Sequence, residues 1–152
     1  MRRSMVLFVA AVVLAWACGS AFAGILYCEA TDCYYGAVAV PGGITWHDAR
    51  AAAATQSHLG LPGRLATLRS AAENDFVAEL IMHSPVDTAW IGGFQPDGSP
   101  EPDANWQWIS GEPWTNSKWA PGQPDNDGPE NALQIFAASY WWADGRNKWN
   151  DL

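Results

Sequence analysis

Ten consecutive residues, Gly122 to Asn131 (GQPDNDGPEN), bring Gln123, Asp125, Asn126, Asp127, Glu130 and Asn131 into one short polar run. Two chemistries fit it. Gly, Pro, Asn and Asp are the commonest turn residues, because they supply special backbone angles and local hydrogen bonds. The same carboxylate and amide oxygens are also what a hard cation takes: calcium collects roughly six to eight of them. Taken alone, the run is either a surface turn or part of an ion site. Composition does not decide between them.

Other chemistries find less support. His47, His58 and His83 show no zinc-ligand spacing. No nucleophile stands in an evident arrangement with a base, so the sequence reads as a non-enzyme. Acids outnumber bases 16 to 8, for a formal net charge of −8. That balance argues against nucleic acid and anionic membranes as partners and is compatible with cation binding.

The first residues resemble an export signal. Arg2 and Arg3 precede an uncharged apolar run from Met5 to Cys18, and Ala21-Phe22-Ala23 has the small-x-small pattern of a cleavage site. Residues 1–23 are therefore expected to be a signal peptide and residues 24–152 the mature domain. An uncleaved anchor and a lipoprotein are the competing readings. After cleavage the only cysteines are Cys28 and Cys33. In an exported chain they are expected to form a small-loop disulfide, two separate thiols being the alternative.

These residues must be positioned by a mixed set of elements. Tyr34 to Val40 reads as a strand ended by Pro41-Gly42-Gly43. Thr45-x-x-Asp48 opens a helix reaching to about Ser57. Ser70-x-x-Glu73 opens a second helix, whose Phe76, Val77, Leu80 and Ile81 form a core-facing stripe. Leu65 to Leu68 reads as a buried strand or connector. Trp90–Phe94, Trp106–Ser110, Asn131–Phe136 and Ser139–Ala143 are strand candidates. Residues 95–105 and 111–130 are long loops. Eight tryptophans between Trp90 and Trp149 argue that these loops are packed rather than disordered.

The ordered set Trp46-x-x-Ala49, Gly63-Arg64-Leu65-Ala66-Thr67-Leu68, Ser70-x-x-Glu73-Asn74-x-Phe76 and Trp90-Ile91-Gly92 resembles the first half of a C-type lectin-like domain. Trp106-x-Trp108, Gly111-Glu112-Pro113, Asn116-x-x-Trp119, Gln123-Pro124-Asp125, Glu130-Asn131 and Trp149-Asn150-Asp151 follow in that family's order. The resemblance spans about residues 33–152. It implies an α+β fold in which two helices flank small antiparallel sheets and a long loop region carries the binding site.

The resemblance also implies a calcium site. Gln123 and Asp125 flank a cis proline, Glu130 follows, and Asn150 and Asp151 return on a strand beside the loop. In the family, Gln-Pro-Asp goes with galactose-type sugars. Gln123, Asp125, Glu130 and Asn150 are then expected to contact two vicinal sugar hydroxyls bound to the ion. The implied protein is a secreted or cell-surface, calcium-dependent module for a carbohydrate or glycoprotein, with no membrane insertion after cleavage. The alternative is a protein-interaction or structural domain on the same fold. Asp97, Glu101 and Asn126 are loose candidates for an auxiliary ion.

Three departures stand out. Ala53 and Ala132 occupy positions where the family usually has cysteines. No aromatic ring follows Gln-Pro-Asp, where galactose binders often place one, leaving Trp114, Trp119 or Trp142 as substitutes. The sequence stops at Leu152, one strand short of the family pattern, so the expectation is a domain lacking its last strand, with an unpaired edge beside the N-terminal strand.

Overall fold

The computed structural model describes residues 5–10, 24–137 and 146–152. The strand expected at Ser139–Ala143 and the ring of Trp142 lie outside the described residues. In chain order come β1 (Met5–Ala10), β2 (Leu26–Cys28), β3 (Cys33–Val38), α1 (Trp46–Thr55), β4 (Ser57–His58), β5 (Leu61–Pro62), α2 (Ala71–Met82), β6 (Thr88–Phe94), β7 (Gln107–Trp108), β8 (Ala132–Phe136) and β9 (Trp149–Asp151). The main sheet runs β2-β3-β1-β6-β8-β9, with β7 on β6, and β4 pairs with β5 as a separate hairpin. All pairings between these strands are antiparallel except β1 with β3. The expected α+β architecture is observed.

Both helices start where their capping residues direct. The Thr45 hydroxyl accepts from the Asp48 amide at 3.2 Å and the Ser70 hydroxyl from the Glu73 amide at 3.1 Å. Helix α1 buries Trp46, Ala49 and Ala53, residues three and four apart on one face. Ala53 is fully packed where the resemblance anticipates cysteine. Helix α2 buries Val77, Leu80 and Ile81 as expected, and Phe76 packs partly exposed at the margin. It also buries Glu73 and Asn74, two polar residues.

Each buried polar residue has partners that tie the loop region to the core. Glu73 accepts hydrogen bonds from the Tyr35 hydroxyl and, at 2.8 Å, from the Arg69 amide. Burial, and then the neighbouring Glu73 charge, push the Tyr35 phenol far above its usual range, so it stays a donor. Arg69 also reaches Glu112 at 2.8 Å, and Arg64 joins Glu112 at 3.4 Å, which pins the start of the 111–130 loop. The Asn116 amide donates to the Leu68 carbonyl at 3.3 Å. Residues Leu65 to Leu68 are fully buried and form a connector rather than a strand of the sheet.

Two differences from the sequence reading concern the N-terminal third. Cys28 and Cys33, expected as a disulfide, are free thiols in this structure. They face each other across the β2–β3 ladder, and Cys33 Sγ donates to the Thr31 carbonyl at 3.2 Å. The edge expected to be unpaired is also paired. Met5–Ala10, within the expected leader, lies between β3 and β6 as β1. The segment read as a leader thus carries a central strand while it is attached.

Candidate metal centre

The floor of the loop region is aromatic. Trp149 on β9 is fully buried, and its indole nitrogen donates to the Asn74 Oδ1 on α2 at 2.6 Å. Trp108 and Trp114 stack with centroids 4.6 Å apart, and Trp149 meets Trp108, Trp114 and Trp119 at 5.5–6.0 Å. Offset and edge-on arrangements of this kind add to the hydrophobic gain of burial. The Trp149 backbone bonds Lys118 and Ala120 at 2.8 Å on one side, while β8 holds β9 on the other. Strand β9 is therefore fixed from both flanks before its last residues reach the loop.

Asp151, two residues on, has the same inward orientation and is 1 % exposed. It accepts from the backbone amides of Asp125 at 3.3 Å and Asn126 at 3.0 Å. Those bonds fold the Gln123–Asn131 segment over the strand end. The peptide Gln123–Pro124 is cis, as the resemblance implies. Asn126, at φ 49°, turns the chain, and its side-chain oxygen accepts from the Glu130 amide at 3.4 Å. The Asp127 amide donates to Glu130 Oε2 at 2.9 Å. Loop and strand are joined chiefly by backbone donors binding carboxylates.

The result brings Asp125, Glu130 and Asp151 together, each offering an oxygen, all within 4.8 Å of one another. No such group of acids, histidines or cysteines is found around Asp97 and Glu101 among the described residues. The Gln123 side-chain oxygen is buried and has no hydrogen-bond partner in the protein. Asn150 lies on β9 beside Asp151, with its amide nitrogen donating to the Asp151 carbonyl at 2.6 Å. Three of the five expected ligands are thus clustered, the fourth has a free acceptor, and the fifth is their chain neighbour.

None of the ion pairs among the described residues involves Asp125, Glu130 or Asp151. The Glu130 carboxyl is raised above its usual range by burial, then by the charges of Asp151 and Asp125. Asp151 is raised too, chiefly by burial, although the Asn126 and Asp125 amides favour its charged form. Like charges within a few ångströms disfavour ionisation. A divalent cation would reverse that, and the donor set of carboxylates and an amide oxygen is the kind calcium takes.

Sequence reasoning missed the role of Asn126. It serves as the frame of the loop, its backbone amide donating to Asp151 and its side-chain oxygen accepting from the Glu130 amide. The signal was present in its type: Asn tolerates the left-handed conformation and bonds nearby backbone.

Residues 43–152 match the family described as the Lectin C-type domain. The chain belongs to the C-type lectin domain family. Halomucin of Haloquadratum walsbyi is 41 % identical over 87 residues, covering 57 % of this chain and 1 % of that protein. The mannose-binding protein of Gallus gallus is 33 % identical over 88 residues, covering 58 % of this chain and 29 % of its own length. The crystal structure of the C-type lectin CEL-I from Cucumaria echinata superposes with a TM-score of 0.56 at 27 % identity, covering 72 % of this chain and 74 % of the other. The chain spans between 1 % and 50 % of the length of such curated relatives. Among the described residues, no helix is long and apolar enough to cross a membrane.

Proposed function

We propose that this C-type lectin domain is a secreted, calcium-dependent carbohydrate-binding module. Gln123, Asp125, Glu130, Asn150 and Asp151 would hold one Ca2+. The single observation that carries the reading is the gathering of three carboxylate oxygens with no ion-pair partner among the described residues; the buried side-chain oxygen of Gln123, without a hydrogen-bond partner, supports it. A buried acceptor without a partner costs about 1–3 kcal/mol, so a ligand that satisfies it is favoured.

When bound, the ion supplies open coordination positions for two vicinal sugar hydroxyls. Gln123, Asp125, Glu130 and Asn150 then contact those hydroxyls, and the Gln-Pro-Asp order supports a galactose-type preference. The test is sugar-affinity retention on immobilised galactose and immobilised mannose. Elution by a calcium chelator from galactose, with loss of retention in Asp125→Ala, is expected. Equal retention with and without chelator contradicts the proposal.

One observation favours a second reading, a protein-interaction domain on the same fold. Trp114 and Trp119, the described candidates for a sugar-stacking ring, are engaged with Trp106 and Trp149. Asn126, Asp127 and Gly128 offer no ring beside Asp125. Calcium binding without any calcium-dependent hit on a glycan array would select this reading.

A further inference from the structure

Two arms of chain deliver the clustered oxygens to one place. The first runs from Lys118 into the Gln123–Asn131 loop, and the second is β9, which carries Asn150 and Asp151. At their tips the arms are tied by the Asp151 carboxylate, which accepts from the Asp125 and Asn126 amides. At their base they are tied by backbone: the Trp149 amide donates to the Lys118 carbonyl and the Ala120 amide to the Trp149 carbonyl, both at 2.8 Å. The Gln123 amide donates to the Ala120 carbonyl at 2.9 Å, so the loop starts directly from this seam.

Helix α2 reaches both arms through two adjacent residues. Asn74, fully buried, donates from Nδ2 to the Asn147 carbonyl at 2.7 Å and accepts from the Trp149 indole at 2.6 Å. Both of those contacts belong to the β9 arm. Asp75 differs. A single oxygen, Asp75 Oδ1, accepts from Asn147 Nδ2 at 2.7 Å and from Lys118 Nζ at 3.1 Å. Lys118 stands five residues before Gln123, and Asn147 three before Asn150. One helix-borne carboxylate therefore grips both arms. The Asp75 side chain is 55 % exposed, so its ion pair adds little to global stability. What it fixes is where the arms stand relative to each other.

We propose that Asp75 is a positioning residue for the metal centre: from outside the cluster of oxygens it sets the spacing of the two ligand-bearing arms at their base. The role rests on the calcium reading for its effect on affinity, and on hydrogen bonds alone for its effect on the loop. Oxygens already held near coordination distance bind a cation more tightly, because ordering them on binding subtracts from affinity. Groups that hold the ligands matter for the same reason. The Asp75 charge would also favour a cation at long range, whatever the geometry. Three substitutions separate the two effects. Asp75→Asn removes the charge and keeps the oxygen. Asp75→Ala removes both. Lys118→Met removes one grip together with a positive charge, so by charge alone it would strengthen calcium binding.

The test uses the full chain, first without calcium and then with it. Without calcium, hydrogen exchange at the Asp125 and Asn126 amides should speed about fivefold in Asp75→Ala and Lys118→Met, and stay within about twofold of the parent in Asp75→Asn. In calorimetric calcium titrations, Asp75→Ala and Lys118→Met should bind about fivefold more weakly than the parent, and Asp75→Asn within about twofold. Weaker binding by Lys118→Met carries the most weight, since its charge change pushes the other way. Unchanged exchange in Asp75→Ala, calcium binding by Asp75→Asn as weak as by Asp75→Ala, or tighter binding by Lys118→Met would overturn the role. The expected exchange pattern in a parent that binds no calcium would instead sink the calcium reading and keep Asp75 as the residue that positions the loop.

Discussion

Trp149 and Asp151 sit two residues apart on one strand, facing the same way and equally buried, yet their surroundings are opposite in kind. Trp149 is complete without any ligand. Its ring is packed against three other indoles and its nitrogen bonds Asn74. Asp151 is satisfied by two backbone amides but shares its space with Asp125 and Glu130. The difference separates what folds the loop region from what the proposed ion would act on. The aromatic floor contributes stability in any solution, whereas the raised carboxyls of Glu130 and Asp151 oppose folding slightly when they are ionised.

The sharpest break of that contrast is Trp149→Ala. Removing a fully buried tryptophan should cost about 3–5 kcal/mol, measured by denaturant unfolding, and the loss should be the same with or without calcium. Next comes Asn74→Ala, which leaves the Trp149 nitrogen and the Asn147 carbonyl without their partner and should cost about 1–3 kcal/mol. Calcium itself, at a concentration about 100 times its dissociation constant, should stabilise the folded chain by about 2.7 kcal/mol. That shift in thermal unfolding should vanish in Asp125→Ala.

Smaller effects test the acidic end. Glu130 and Asp151 hold protons more tightly than ordinary carboxylates. Calcium affinity should therefore fall as pH drops through a window above the usual carboxylate range, read from calcium titrations at stepped pH. Without calcium the sign reverses. A raised folded-state carboxyl contributes stability when protonated and loses it as pH rises, so the ion-free site should destabilise more at neutral pH than in that window. The smallest expected change is Asp125→Ala without calcium, within about 0.5 kcal/mol of the parent in the same unfolding measurement.

Local rules made much of the fold legible. The caps at Thr45 and Ser70 lie where their side chains bond the third residue on. The α2 stripe follows from helical spacing. What escaped depended on distant partners. Glu73 reads as the return half of a capping box, but its carboxylate turns to Tyr35 and the Arg69 amide, a choice set by a strand 38 residues away. The strand expected over Trp106–Ser110 shortens to Gln107–Trp108, which pair with Phe94 and Gly93 of β6. The pairing of Met5–Ala10 with β3 was not legible, because an uncharged apolar strand and an export signal share one composition. At the site, the acids were visible by type and order, but the frame supplied by Asn126 emerges only when β9 lies beside the loop.

The thiols offer a narrower check on the β2–β3 hairpin. Cys28 and Cys33 are cross-strand partners but unbonded here. The proposal that they pair on export expects the oxidised protein to be two hydrogen atoms lighter by mass and to resist alkylation at both positions. Two alkylated cysteines in exported protein would exclude it.

The most direct test of the central claim is isothermal calorimetry with calcium on the full chain, beside Asp125→Ala. The expected result is one calcium per chain for the parent and none at the same concentration for the variant, with both chains folded by circular dichroism. An unchanged calcium isotherm in Asp125→Ala, or no binding by the folded parent, would contradict the assignment of Asp125, Glu130 and Asp151 as a metal centre.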